Sequence, residues 1–334
     1  MLLGGWEERF ERGLFRYDVT ACPTRTLAGP LGFVAQLNEG RATKKRPTEF
    51  AVDAVCAPFD PCKFNFTRAD EAEVLFQFEP CAVSDRSCRL GYSEKPGAVR
   101  SSPHLLLINV SPIEYGHVLL VPHALSALPQ QVAPDTLLLA LHLARQSDNP
   151  YFRVGFNSLG AYATVNHLHF QAYYLQAPFP LERAPCAPLP TAAGGTRRRW
   201  RGVGAQRTVH FPVRCVVFEV SHSLQQLAAA LGEAALALQA RNVPFNILMV
   251  DRGDRAFLIP QRFAARCAAG AVPEALLETG VNPAVFEIAG HLLYKRACDY
   301  EAATQDSAWA LLEQASLEEG DFLALVADIC PECS

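Results

Sequence analysis

An α+β fold, with helices laid on an antiparallel sheet, is the class this sequence predicts, and three observations carry it. Short apolar runs of strand length recur between residues 104 and 260, separated by turn residues. Two stretches, 134–146 and 223–241, are Leu- or Ala-rich with helical spacing. The order strand, helix, strand, turn, strand occurs twice, over 117–175 and again over 214–260, which implies a duplicated unit with two sheets fused edge to edge.

Residues 1–103 read as a β-rich N-terminal part of the fold, with strand-like runs at 32–37 and 73–78 between Pro and Gly punctuation. The basic stretch 41–46 reads as a solvated loop, with a localisation tag or a phosphate-facing loop as alternatives. In Lys63-Phe-Asn-Phe-Thr67 an extended chain would pack Phe64 and Phe66 and leave Lys63, Asn65 and Thr67 together on the other face, toward ligand or solvent.

Residues 104–175 form the sharper half. Runs at 104–110 and 117–122 suggest a hairpin. A helix over 134–146 has a proline at its first turn, where the missing N–H costs nothing. Strands at 151–157 and 163–175 follow. Residues 176–208, rich in Pro, Gly and then Arg, read as a mobile connector whose Arg197 to Arg201 run is solvated or reaches a phosphate. In 209–334, strands at 214–220, 245–250 and 255–260 surround the 223–241 helix. A further helix is predicted over 283–301, placing His291 and Lys295 one turn apart on its surface.

Composition narrows the function classes. The chain has 334 residues, 50% apolar and 19% charged, with net charge -4. No global basic field points to nucleic acid or an anionic membrane. No segment offers ~18 uncharged apolar residues, and the acidic start lacks a signal peptide's apolar region, so a soluble, cytoplasmic protein is expected. The 11 cysteines read as reduced, mostly buried thiols, and Cys330 and Cys333 as part of a frayed tail.

The chemistry concentrates in Asn166-His-Leu-His-Phe-Gln-Ala172. As a strand it would put His167, His169 and Gln171 on one open face, ~6.6–7 Å apart, with Leu168 and Phe170 anchoring the other face. A polar strand face or a pair of metal ligands would look the same. A neutral imidazole can attack phosphorus without a base, and a neighbouring amide can donate to a phosphoryl oxygen as charge builds.

The motif His167-Leu-His169-Phe-Gln171 is similar to the His-x-His-x-Gln signature of the transferase branch of the histidine-triad superfamily, in which hydrolases carry a third His at the Gln position. The hairpin ending Gly116-His-Val-Leu-Leu-Val-Pro-His123 resembles that superfamily's own. Longer blocks, among them Gly13-Leu-Phe-Arg-Tyr-Asp, Phe33-Val-Ala-Gln-Leu-Asn-Glu-Gly-Arg, Lys63-Phe-Asn-Phe-Thr and Gly290-His-Leu-Leu-Tyr-Lys-Arg, resemble the GDP-hexose phosphorylase family from about residue 10 to 325.

This resemblance implies a histidine-triad-like sheet, duplicated as in galactose-1-phosphate uridylyltransferase. It implies the reaction of GDP-hexose, GDP-D-glucose by expectation, with inorganic phosphate to give GDP and hexose 1-phosphate. His169 would be the nucleophile that takes up GMP, Gln171 would steady the phosphoryl oxygens, and the His167 carbonyl would fix the tautomer of His169. Asn157, Ser158 and Thr164 would contact phosphate, and Lys63 and Asn65 would contact substrate. Thr164 stands where many relatives have Ser, and Tyr162 where many have Gly. The second half, whose 255–260 strand lacks the histidine motif, would be a scaffold or binding half. No cofactor and no metal are expected, because Cys56 and Cys62 are too far apart for the uridylyltransferase metal pattern. The oligomeric state is left open. Another base or sugar, a nucleotide-sugar hydrolase, and a catalytically idle nucleotide sensor are the alternatives.

Overall fold

The computed structural model describes residues 2–44, 54–78, 92–93, 102–189 and 203–330. Helix α1 (Leu2–Glu11), which nothing in the sequence reading anticipates, buries Trp6 against Phe10, Phe15 and Tyr115. Its indole N–H donates to the His117 carbonyl at 3.3 Å. Strands β1 (Thr24–Thr26) and β2 (Val34–Leu37) form a small antiparallel pair before the short helix α2 (Glu39–Lys44).

The main sheet then builds from β3 (Val74–Phe78), β4 (Tyr92–Ser93), β5 (His104–Ile108) and β6 (Val118–Val121). Helix α3 (Pro134–Gln146) leads to β7 (Phe152–Asn157) and β8 (Phe170–Tyr174). Beyond these come β9 (Cys186–Pro188), β10 (Val203–Thr208), β11 (Val216–Val220), α4 (Leu224–Ala240), β12 (Phe245–Val250) and β13 (Arg255–Pro260). Eleven strands pair antiparallel in the order β4-β3-β5-β6-β8-β7-β12-β13-β11-β10-β9. Outward from the β7–β12 seam, each side gives the second, third and first strand of its half: β7, β8, β6 on one side and β12, β13, β11 on the other.

Alternation along these strands sets the two faces. Phe156, Phe170, Ile247 and Met249 point to one face, where α3 and α4 cover them and form the largest core. Ser223 caps α4, its side chain accepting from the Gln226 N–H. The opposite face is divided. Phe66, Leu107, Leu119, Val121 and Val165 make a small cluster over β5 and β6. Tyr173, Leu248, Phe257, Phe286 and Leu292 belong to a larger one over β8, β12 and β13.

The C-terminal chain covers that second cluster with α5 (Phe263–Ala268), α6 (Glu274–Glu278), α7 (Val285–Ala289), β14 (His291–Tyr294), α8 (Ala297–Ala302) and α9 (Gln305–Glu313), and then crosses back so that α10 (Glu319–Ile329) packs on α4 in the first core. The single helix predicted over 283–301 is therefore wrong. Gly290, at φ +113°, stops α7 after five residues, and the chain turns extended to run parallel to β2, His291 opposite Val34.

Other expectations change too. The strand predicted from residue 163 starts only at Phe170. Residues 66–68, expected as strand, form a 3-10 turn capped by Asn65, whose Oδ1 accepts from the Thr67 N–H at 3.1 Å. The connector is in part packed structure: β9 and β10 extend the sheet, and Glu182 makes a two-point ion pair with the buried Arg153 at 2.8 and 3.2 Å. Residues 190–202, with Arg197 to Arg201, lie outside the described residues. Cys330 is buried against the α4–α10 core, unlike a frayed tail, while Cys333 lies outside the described residues.

Candidate active site

Between the two clusters on the divided face lies an open cavity with His169 and Gln171 in its wall. Four pieces of chain enclose it: Phe64 and Phe66 of the small cluster; the β5–β6 turn with Asn109 and Ser111; Arg16 and Arg41 from the N-terminal part; and Glu287 and Lys295 from α7 and the end of β14.

His169 sits one residue before β8, where the ladder to β6 has ended at the Phe170–Leu120 pair. Its backbone is held instead by Gln130, which accepts from the His169 N–H at 2.9 Å and donates to its carbonyl at 3.2 Å. Leu168 N–H donates to the Leu128 carbonyl, and Asn166 Oδ1 accepts from Gln130 N–H. The triad segment is thus docked on the 128–130 loop and covered by the 66–68 turn. Its histidines are buried, at 0% exposure for His167 and 5% for His169, and do not stand on the open strand face that alternation predicts.

Protonation follows from geometry. His169 Nδ1 lies 2.8 Å from the His167 carbonyl, which can only accept, so Nδ1 carries the proton and Nε2 keeps its lone pair. Burial lowers the His169 pKa to about 4, against the opposing pull of that hydrogen bond. His167 Nδ1 accepts from the Phe66 N–H at 3.0 Å, and burial followed by the His169 charge lowers its pKa to about 4. His167 therefore pins the Phe66 turn with its ring and sets His169 with its carbonyl. The Phe66 ring lies 5.0 Å from the His169 ring.

Gln171 points into the same cavity and contacts the fully buried His117. Nδ1 of His117 accepts from the Ile113 N–H at 2.8 Å, so its Nε2 carries the proton and donates to the Gln171 side chain. Burial drives the His117 pKa well below the usual value, with the Arg41 charge adding to it. Lys295 is lowered as well, by burial first, while Glu287 opposes and Arg41 reinforces the shift. Arg41 and Lys295, with Arg16 also on the wall, thus bring positive charge to a cavity lined by the neutral imidazole of His169. An anionic ligand between them would relieve their repulsion.

Thr164 lines the cavity, as expected of a substrate contact. The other sequence candidates are not brought to it. Asn157 Oδ1 accepts from Asn246 Nδ2 at 2.6 Å and from the Val285 N–H at 3.0 Å, fastening β12 and α7 to β7. Ser158 Oγ accepts from the Phe245 N–H at 3.0 Å. Asn65 is spent on its cap, and in the Lys63-to-Thr67 segment Phe64 and Phe66 face the cavity.

Family models for the GDPGP1-like N-terminal domain and the GDPGP1-like C-terminal domain match residues 1–173 and 180–334. The chain is 51% identical to GDP-L-galactose phosphorylase 1 of Arabidopsis thaliana, over 98% of this chain and 72% of that one. The chain belongs to the GDP-hexose phosphorylase family. To GDP-D-glucose phosphorylase 1 of Bos taurus it is 36% identical, over 95% of this chain and 78% of that one. Its fold is that of the yeast Ap4A phosphorylase Apa2 in complex with Ap4A: TM-score 0.58, 17% identity, 95% of this chain and 96% of that one covered.

Within this family assignment, sequence reasoning missed Arg16, Gln130, His117 and Glu287 around the site, and it gave Arg41 a phosphate-facing role and Lys295 a substrate role only as the less favoured alternatives. One signal could have found the charged ones: the blocks that resemble the GDP-hexose phosphorylases contain Arg16, Arg41 and Lys295. No helix of the described residues is long and apolar enough to cross a membrane.

Proposed function

We propose that this enzyme phosphorolyses a GDP-hexose through a covalent GMP–His169 intermediate. The observation that carries the reading is the fixed tautomer of His169, a neutral nucleophile whose Nε2 lone pair is available beside Gln171 and two cations. In the first step Nε2 attacks the α-phosphorus, and the bond to the bridging oxygen breaks to release hexose 1-phosphate. In the second, a phosphate oxygen attacks the same phosphorus, the P–N bond breaks, and GDP leaves. The leaving hexose phosphate and the incoming phosphate occupy one subsite, which suits Arg41 and Lys295. Gln171 donates to the non-bridging oxygens, Thr164 contacts them, and the Phe64 and Phe66 rings take the base on their flat faces.

The higher identity to the plant relatives, 51% against 36%, favours GDP-L-galactose over GDP-D-glucose as the hexose donor. Matching strand orders about the β7–β12 seam support a duplicated unit whose second half is a scaffold without the histidine motif. A panel of nucleotide sugars, assayed with and without phosphate, tests the proposal. Phosphate-dependent hexose 1-phosphate from GDP-sugars is expected. Mainly GMP, at ample phosphate, would make the chain a hydrolase.

A further inference from the structure

The turn after β7 holds two residues in the left-handed region, Gly160 at φ +74° and Tyr162 at φ +73°. Glycine adopts that conformation freely, whereas a bulky side chain is strained there. The surroundings impose it on Tyr162 from both sides. The Ala161 and Ala163 N–H groups donate to the Ser158 carbonyl, and the Ala161 carbonyl accepts from Asn246 Nδ2 at 3.0 Å. Strained residues fixed in this way gather at ligand sites, and Tyr162 lines the cavity.

The ring and the hydroxyl of Tyr162 are differently placed. The ring packs on Phe263 of α5, centroids 6.0 Å apart, and so joins the larger cluster. A phenylalanine would serve there as well. The hydroxyl makes no hydrogen bond among the described residues. Burial raises its pKa, with Cys267 and Glu287 adding to the effect, so it keeps its proton and can donate as well as accept.

Position within the cavity separates the possible ligands. Three residues after Tyr162, Val165 belongs to the small cluster with Phe66, so this segment crosses from one wall to the other with Thr164 on the lining between. With the base on the Phe64 and Phe66 side and the α-phosphorus at His169, the group reaching the Tyr162 side is the hexose phosphate. Lys295, which follows Tyr294 of the same larger cluster, suits its phosphate. A neutral phenol suits the uncharged hydroxyls of the sugar.

We infer that Tyr162 is a hexose-reading residue of this enzyme, its hydroxyl hydrogen-bonded to one hydroxyl of the sugar while its ring stays on Phe263. The inference rests on the phosphorolysis proposed above. A site that hydrogen-bonds a hydroxyl rejects the analogue lacking it, because its own polar group is then left unpaired.

Crossing Tyr162→Phe with GDP-hexoses that each lack one hydroxyl isolates the contact. The substitution removes the phenol oxygen and keeps the ring and its packing. For the parent GDP-hexose, kcat/KM should fall about 10-fold. One deoxy analogue, already poor with wild type, should lose less than about twofold on the same substitution, while the others lose the full amount, because only partners in contact are coupled. Equal losses on every analogue would mean that the hydroxyl serves the phosphate or the turn and not the sugar, and the inference falls. It falls too if the Phe variant matches wild type on all substrates. Wild type that forms no hexose 1-phosphate from any GDP-hexose and phosphate would sink the phosphorolysis reading and this inference with it.

Discussion

Gly155 on β7 stands directly opposite Gln171 on β8, and the absence of a side chain at the first is what admits α7 beside the second. A Cβ at Gly155 would lie 2.6 Å from Val285 Cγ1 and 3.1 Å from Phe286 Cζ. Gly155→Ala should therefore push α7 off the sheet. Overpacking of this kind costs about 1–3 kcal/mol, and both the melting temperature and turnover should drop. Unchanged thermal unfolding with full turnover would show that α7 does not depend on that contact.

His169→Ala should abolish turnover and also weaken the fold. On the open strand face that alternation predicts, removing the imidazole would cost little packing. The buried ring instead satisfies the His167 carbonyl, and leaving a buried acceptor unpaired costs about 1–3 kcal/mol. Wild type incubated with labelled GDP-hexose and no phosphate should carry acid-labile GMP on His169. Mass spectrometry that locates the adduct on His167 would refute the assignment.

Acid should reach the site in a defined window. His169 and His167 are held down to about 4, and His291, buried beside the Tyr173 hydroxyl, likewise to about 4. In the unfolded chain such groups titrate near ~6.5. Between those values the unfolded chain binds more protons, so stability should fall as pH drops from about 6.5 to 4. The rate of GMP transfer to His169 should stay flat down to about pH 5 and decline below. A rate that halves near pH 6.5 would place the nucleophile in a wetter environment than the cavity wall.

Gln171→His should shift the acceptor. A neutral amide donates to phosphoryl oxygen and cannot carry a proton for water, whereas an imidazole can act as acid or base near neutrality. Phosphorolysis should fall and the share of GMP among products should rise at fixed phosphate. GDP and GMP quantified by chromatography give the ratio, and an unaltered ratio would remove Gln171 from acceptor choice.

Local pattern explains what could be read in advance. The predicted bounds of α3, β12 and β13 coincide with the observed ones, because a proline at a first turn and clean apolar runs act within a few residues. β14 failed for the opposite reason: its four residues owe their extended form to β2, more than 250 positions earlier. The burial of His169 was equally invisible, since Gln130 and the 66–68 turn come from elsewhere in the chain. Glu287 is a charge without a pattern, and Arg41 sits in a basic stretch that reads first as solvated; the folded cavity brings both to its wall.

The braid of β2 with β14 also orders events in time. A growing chain exposes His169 more than a hundred residues before the α7–β14 wall exists. During that interval His169 has Arg16 and Arg41 behind it in the chain but lacks Lys295 and the α7–β14 wall, and β2 has no parallel partner to complete the small sheet. Incomplete products of translation, or fragments cut between the two family-matched halves, would thus hold His169 with only part of its cavity around it.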